Sequence, residues 1–406
     1  MRLVVFAHVP PPHHGQSRMV ETMLHALGGD ARERTTFAGT SSPTRPIECY
    51  HVDARVSRDL DDVGSARGGK LFLLLRHCLH AIWLRVRYGV SAIYYIPASS
   101  GRAAIYRDWI VMACCRPFFR QRIYHWHAVG WADWVSSARG WERWMSRTMM
   151  RRPAMSLVLG NYGRRDAEAC QSQRVEVVPN GLPDPCPEFA PEVLKQRASR
   201  LTARRTAAQT KPGTSPASAP EVFRLLYLGL CYRPKGLFDA VEGVLGLNRA
   251  LRGSGLKAEL TVAGSFWKPE ERAEFDQIVN RPEVRDEGLV KYAGFVQGKE
   301  KHALLKESDC LCIPTYYEME GFPLVIVEAL AYGLPILTTR WRMLPDVLPH
   351  GYPGLVHPHQ KEELVDGLRT MMEWSDFAAL RSHYLQNFTQ AHFEQRLAAA
   401  ILAAAG

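Results

Sequence analysis

The sequence predicts an α/β protein of two Rossmann-like domains, each built on a parallel sheet. Its 406 residues leave room for two cores of ordinary size. Short apolar runs that read as buried strands alternate with longer helical patterns along the whole chain, as in doubly wound sheets. The chain also opens as such a domain does: a strand over Leu3 to Ala7, a loop at Gly15 and Gln16, then a helix with Met19, Val20, Met23, Leu24 and Leu27 on one side.

Hydrophobic residues make up 46% and charged residues 23%, the composition of a globular protein in water. The net charge of +10 favours anionic partners such as acidic lipid or phosphorylated substrates. No nucleic-acid-binding module accompanies it, so nucleic acid is not expected as a partner. The nine cysteines are scattered without a Cys-x-x-Cys pair, which fits a reducing cytoplasm. The first apolar run is too short for a signal peptide, and Leu71 to Leu84 is short and interrupted by Arg76, so no membrane span is expected.

Asp59 and Asp61 have the Asp-x-Asp spacing of some metal sites, but they lie in a polar loop with no apolar strand beside them. No metal is expected there. Lys70 to Tyr88 reads as a long amphipathic helix, Ala92 to Ile96 as a strand stopped by Pro97, and Ile105 to Cys115 as a further helix. In the next strand Ile123, His125 and His127 alternate and so point the same way. From Ala138 to Arg152, Arg139, Arg143, Arg147 and Arg151 recur every four residues, with Trp141, Trp144, Met145 and Met149 opposite. Two readings stand: a helix settled on an anionic membrane surface, or one packed on its own sheet with the arginines in water. Val178-Pro179-Asn180-Gly181 is a strand end running into a turn.

Between Lys195 and Pro220 the composition shifts to Arg, Thr, Ala, Ser and Pro without periodicity, which predicts a flexible basic linker over 191–220. Domain one is expected over 1–190, domain two over 221–388, and a C-terminal helix over 389–406. The second domain starts with a strand, Phe223 to Gly229, followed by Arg233, Lys235 and Gly236 at a helix entry. Further strands are expected at Leu260 to Gly264, Lys291 to Val296, Leu311 to Pro314 and Pro335 to Thr339.

Between the last two strands lies the most informative stretch, Glu320 to Pro335. Pro323 suits a first helical turn and Gly333 a C-terminal cap, giving a short apolar helix in which Glu328 is the only charge. A buried carboxylate must be paired or hydrogen-bonded, and ligand hydroxyls or a structural arginine would both serve. The backbone amides of Gly321, Phe322 and Leu324, around Pro323, lie at a helix start suited to anions, phosphates above all, with Glu320 beside them. Eight residues at helical rise separate the two carboxylates by roughly 12 Å, too far for the about 5 to 9.5 Å of a glycosidase pair.

With the adjoining Pro314-Thr315 and Ala329 to Pro335, this stretch resembles the Glu-x7-Glu signature of retaining glycosyltransferases of family 4, the group 1 transferases of GT-B fold. The resemblance implies a cleft between the two domains, a nucleotide diphosphate sugar as donor, and no metal or other cofactor. It implies that Glu328 meets ribose hydroxyls, Glu320 the donor sugar, and Lys235 the leaving diphosphate. The family's arginine position holds Leu230 here, which makes Arg233 the substitute. His127, with His125 as runner-up, corresponds to the family's strand-end histidine at the reacting centre. Gly15 and Gln16 correspond to its glycine loop near phosphate or acceptor, and Lys291 to Val296 to the border of the nucleobase. The expected acceptor is a glycan or a polyprenyl-linked one, in bacterial surface polysaccharide synthesis, with the protein cytoplasmic or peripheral at the inner membrane face. A sugar-nucleotide epimerase of the same fold and a non-catalytic sugar-nucleotide scaffold are the alternatives.

Overall fold

The computed structural model describes residues 1–10, 15–34, 47–55, 68–209 and 220–404. They form two compact units, Met1–Gly181 with Gln390–Gly406, and Leu182–Thr389. Asp59 and Asp61 lie outside the described residues.

Unit 1 is a six-stranded parallel sheet of β1 (Arg2–Ala7), β2 (Glu48–Asp53), β3 (Ala92–Tyr95), β4 (Gln121–Trp126), β5 (Met155–Val158) and β6 (Val175–Val177), in the order β2-β1-β3-β4-β5-β6. In β1, Leu3, Val4, Val5, Phe6 and Ala7 are all buried, because helices cover both faces. On one face the helices Gly15–Ala26 and Gln390–Ala403 bring Met19, Met23, Phe393, Leu397 and Ile401 against Leu3 and Val5. On the other, Leu74, Cys78, Leu84, Ile105 and Met112 pack against Val4, Ile93 and Tyr124. Gly15 and Gln16 open the first helix instead of forming a loop ahead of it.

Unit 2 repeats the plan with β7 (Glu221–Leu228), β8 (Leu256–Ala263), β9 (Val290–Gly294), β10 (Cys310–Ile313), β11 (Ile336–Thr339) and β12 (Leu355–Val356), in the order β12-β11-β10-β7-β8-β9. From β7 the chain first adds strands on one side and then, from β10, on the other. The crevice beyond the carboxyl ends of β7 and β10 is therefore the switch point where such sheets bind ligands.

Three expectations change. First, the segment expected as a linker carries the helix Leu194–Gln209 and belongs to unit 2; of the stretch, 210–219 lies outside the described residues. Arg197 explains why so polar a helix docks. Its buried guanidinium donates to Tyr332 O at 3.1 Å, Ser308 O at 2.5 Å and Leu305 O at 2.7 Å, closing the C-terminal ends of the helices Gly298–Glu307 and Leu324–Ala331. Arg197→Met is expected to leave three buried carbonyls short of a donor and to lower unfolding stability by about 3 kcal/mol or more, read from urea unfolding. An unchanged midpoint would refute that role.

Second, the helix Gly140–Met150 buries Glu142, Ser146 and Met150, while Trp141 and Trp144 are exposed. The buried stripe is polar because Glu142 accepts from Tyr106 Oη at 2.5 Å, Arg102 Nε at 2.9 Å and Arg139 N at 3.0 Å. Third, the helix expected from Lys70 runs over Gly68–Tyr88, and its outer face is apolar.

Candidate active site

After β7 the chain makes a one-turn helix at Arg233–Lys235 and reaches Gly236, whose φ of +80° suits glycine. A Cβ there would stand 2.4 Å from Pro314 O, so Gly236 lets this loop lie on the loop that leaves β10. Tyr316 N, donating to Pro234 O at 2.8 Å, ties the two together. This contact brings Lys235 to Glu320, 85 residues further on.

The Glu320 carboxylate, only 6% exposed, accepts from Lys235 Nζ with both oxygens at 2.9 Å and from Thr315 Oγ1 at 2.8 Å. The same ammonium sits 4.9 Å from the centre of the Tyr317 ring. Immediately beyond Glu320 the helix Leu324–Ala331 begins, with Pro323 at its N-cap and Ile326 N donating to Pro323 O at 3.0 Å. The amides of Leu324 and Val325 precede that bond. Phe322 turns inward, its ring 5.9 Å from that of Phe388, so it acts as packing beneath the loop.

Glu328 is half-buried on the helix and meets Lys301, with Nζ 2.6 Å from Oε1. The partner that its burial demands is thus a lysine on the helix Gly298–Glu307 instead of an arginine. Arg233 stands apart from the Lys235 cluster: its guanidinium donates to Glu274 at 2.5 and 2.7 Å and lies 4.2 Å from the Phe238 ring centre. Its charge is already neutralised. An aromatic rim that the motif did not indicate surrounds the switch point. Tyr232 packs on Trp267 with centroids 5.0 Å apart and meets Tyr317 edge-on at 6.0 Å, while Lys268 Nζ lies 5.3 Å from the Tyr232 centre. These residues follow β7, β8 and β10 directly, and their position at strand carboxyl ends was the available signal.

A separate cavity of about 310 Å³ between the helix Leu237–Leu251 and the segment His357 to Lys361 reaches these loops only through Pro314.

In unit 1, His127 follows the last residue of β4, and its ring lies tilted against that of His125 with centroids 4.2 Å apart. The loop after it is fixed by buried Asp166, which accepts from Gly130 N at 2.9 Å and Ala132 N at 2.8 Å. His125 is fully buried and shares a hydrogen bond between Nδ1 and the Tyr94 hydroxyl. Removal from water pushes His127 down to about 4 and His125 well below its ordinary value, the latter also through His127. Both rings are neutral at pH 7. The unfolded chain then binds more protons than the folded one between pH 6.5 and about 4. Stability of unit 1 is expected to be full above pH 6.5 and to fall with pH through that window, by up to about 3 kcal/mol for His127, less the share its partly exposed side chain keeps in water. Hydrogen exchange of the β4 peptide against pH checks this. His127→Gln should flatten the slope, and a slope unchanged in that variant would contradict it.

Residues 215–387 match the sequence model of the glycosyl transferases group 1. The chain is 27% identical over 142 residues to the amylovoran biosynthesis glycosyltransferase AmsK of Erwinia amylovora, covering 34% of this chain and 33% of that protein. The matched stretch thus spans about a third of the length of that curated relative. Among solved structures, the lipopolysaccharide outer core galactosyltransferase WaaB aligns with a TM-score of 0.64 at 13% identity over 99% of both chains. Anabaena HepE in complex with UDP-glucose aligns at 0.61 and 15%, again over 99% of both. Two parallel six-stranded sheets flanked by helices, aligned over their full length with such transferases, are the GT-B fold. The match to the glycosyl transferases group 1 covers residues 215–387, which lie in the second half of the chain.

Proposed function

We propose that the protein is a retaining, metal-independent glycosyltransferase that moves a sugar from a nucleotide diphosphate sugar to a glycan or polyprenyl-linked acceptor, in assembly of a surface polysaccharide. The observation that carries this reading is the Lys235, Thr315 and Glu320 cluster at the switch point of unit 2, directly ahead of a helix start. Lys235 and the amides of Gly321, Phe322 and Leu324 supply positive charge for a diphosphate, which a metal would otherwise bring. Glu320 is then released from Lys235 and accepts from donor-sugar hydroxyls, and Glu328 accepts from the ribose hydroxyls. With Arg233 held by Glu274, the second cation falls to Lys268 at the aromatic rim. His127, neutral at pH 7, serves as a hydrogen-bonding group for the reacting sugar or acceptor, and Gly15 and Gln16 open the acceptor-side helix.

In the reaction the anomeric carbon to diphosphate oxygen bond breaks while the acceptor oxygen bonds that carbon on the same face. The acceptor proton passes to the departing diphosphate. A UDP-sugar is the first donor to try, since HepE, of the same fold, holds UDP-glucose. A polyprenyl-linked acceptor would place the enzyme at a membrane surface; among the described residues no helix is long and apolar enough to cross one.

The test is to incubate the protein with nucleotide sugars, with and without bacterial lipid extract, and follow nucleoside diphosphate release together with sugar incorporation. Release that requires acceptor, with an unchanged anomeric configuration by NMR, supports the reading. Turnover without acceptor would indicate an epimerase, and donor binding without turnover a scaffold.

A further inference from the structure

The helix Gly68–Tyr88 turns one side to its sheet, burying Leu74, Cys78, Ala81 and Leu84. A helix covered on one side only presents a polar outer face to water. This one does not: Phe72, Leu79, Trp83 and Val86 are 73, 67, 51 and 75% exposed, with Leu71 and Leu75 also open. At about 100° per residue, Leu75, Val86, Leu79, Phe72 and Trp83 share an arc of about 80°, and Arg76 and Arg87 occupy the next 40° or so. The charges of the helix are Lys70, Arg76, Arg85 and Arg87, and it contains no Asp or Glu.

Two hydrogen bonds tie the neighbouring elements to this helix and to one another. Arg85 Nε donates to the carbonyl of exposed Phe118 at 2.9 Å. Arg116 Nη1, in the same turn, donates to Thr148 O at 2.5 Å on the helix that exposes Trp141 and Trp144. Apolar and aromatic side chains on a helix whose own charges are all cations are the chemistry of an interfacial helix. A second copy of this chain on the same face would set four cations against four.

We propose that the outer face of Gly68–Tyr88 is the surface by which the protein lies on an anionic phospholipid bilayer, with Phe72, Leu79, Trp83 and Val86 among the acyl-chain roots and Arg76 and Arg87 at lipid phosphates. This deepens the acceptor side of the transfer reading, but vesicle binding involves no chemistry and succeeds or fails independently of it.

The full chain is sedimented with vesicles of phosphatidylcholine alone or mixed with phosphatidylglycerol. Partition onto the mixed vesicles is expected, weaker on phosphatidylcholine and weaker as salt is raised. Leu79→Asp with Trp83→Asp should lower it by about tenfold or more. Arg76→Gln with Arg87→Gln should lower it and flatten its salt dependence, and both variants, changed at the surface, should melt as the parent does. Failure of the parent to partition would overturn the proposal. So would undiminished binding by the Leu79/Trp83 variant, or light scattering showing a dimer that this variant dissolves while vesicle binding is absent.

Discussion

Lys235→Ala is expected to abolish diphosphate-dependent stabilisation and to cut transfer by about 100-fold or more, the loss of one charge-assisted clamp on a leaving diphosphate. The physical reason is local. Lys235 Nζ is the cation held on both oxygens of Glu320 and over Tyr317, at the mouth of a free helix start. Because Glu320 is buried and Lys235 is 20% exposed by side chain, removing the cation also destabilises the fold. The cost falls between the about 0–1 kcal/mol of an exposed pair and the 3–5 kcal/mol of a buried one. The double variant Lys235→Met with Glu320→Gln separates the two effects. It removes the stranded charge and keeps the hydrogen bond from Thr315, so it should recover stability in urea without recovering binding. Recovered binding in the double variant would remove Lys235 from the site.

Glu328→Ala is expected to weaken nucleotide binding by about 10- to 100-fold, because hydrogen bonds to a charged acceptor contribute about 1.5–3 kcal/mol. The fold should tolerate the change, since Lys301 is 24% exposed by side chain and reaches water when its partner is gone. Titration calorimetry against a nucleoside diphosphate and against its 2′-deoxy form checks the assignment. The parent should discriminate between the two, and the variant should not. Equal discrimination by both would leave Glu328 as a structural partner of Lys301.

The strand and helix alternation was legible because buried parallel strands such as Leu3 to Ala7 are continuous apolar runs. Lys235-Gly236 and Glu320 to Glu328 were legible as a resemblance, although nothing in their spacing reveals that Gly236 packs on Pro314 and closes the pair. Partners from other elements were not legible: Lys301 for Glu328, and Glu274 for Arg233. Leu194–Gln209 reads as a linker in the sequence because two of its three buried residues, Arg197 and Arg204, are arginines. A guanidinium capping three carbonyls leaves no trace in apolar periodicity. The helix Gly68–Tyr88 shows the converse, since periodicity marks apolar arcs without saying which one the sheet covers.

Binding of a nucleoside diphosphate at the switch point of unit 2 underlies every site role proposed above. It is tested most directly by the thermal midpoint of the parent and of the Lys235→Met, Glu320→Gln double variant with UDP, GDP and ADP. A ligand at 100 times its dissociation constant adds about 2.7 kcal/mol. A raised midpoint is expected with one of the three nucleotides in the parent and with none in the double variant. A parent that responds to none of them, or a double variant that responds equally, would contradict it.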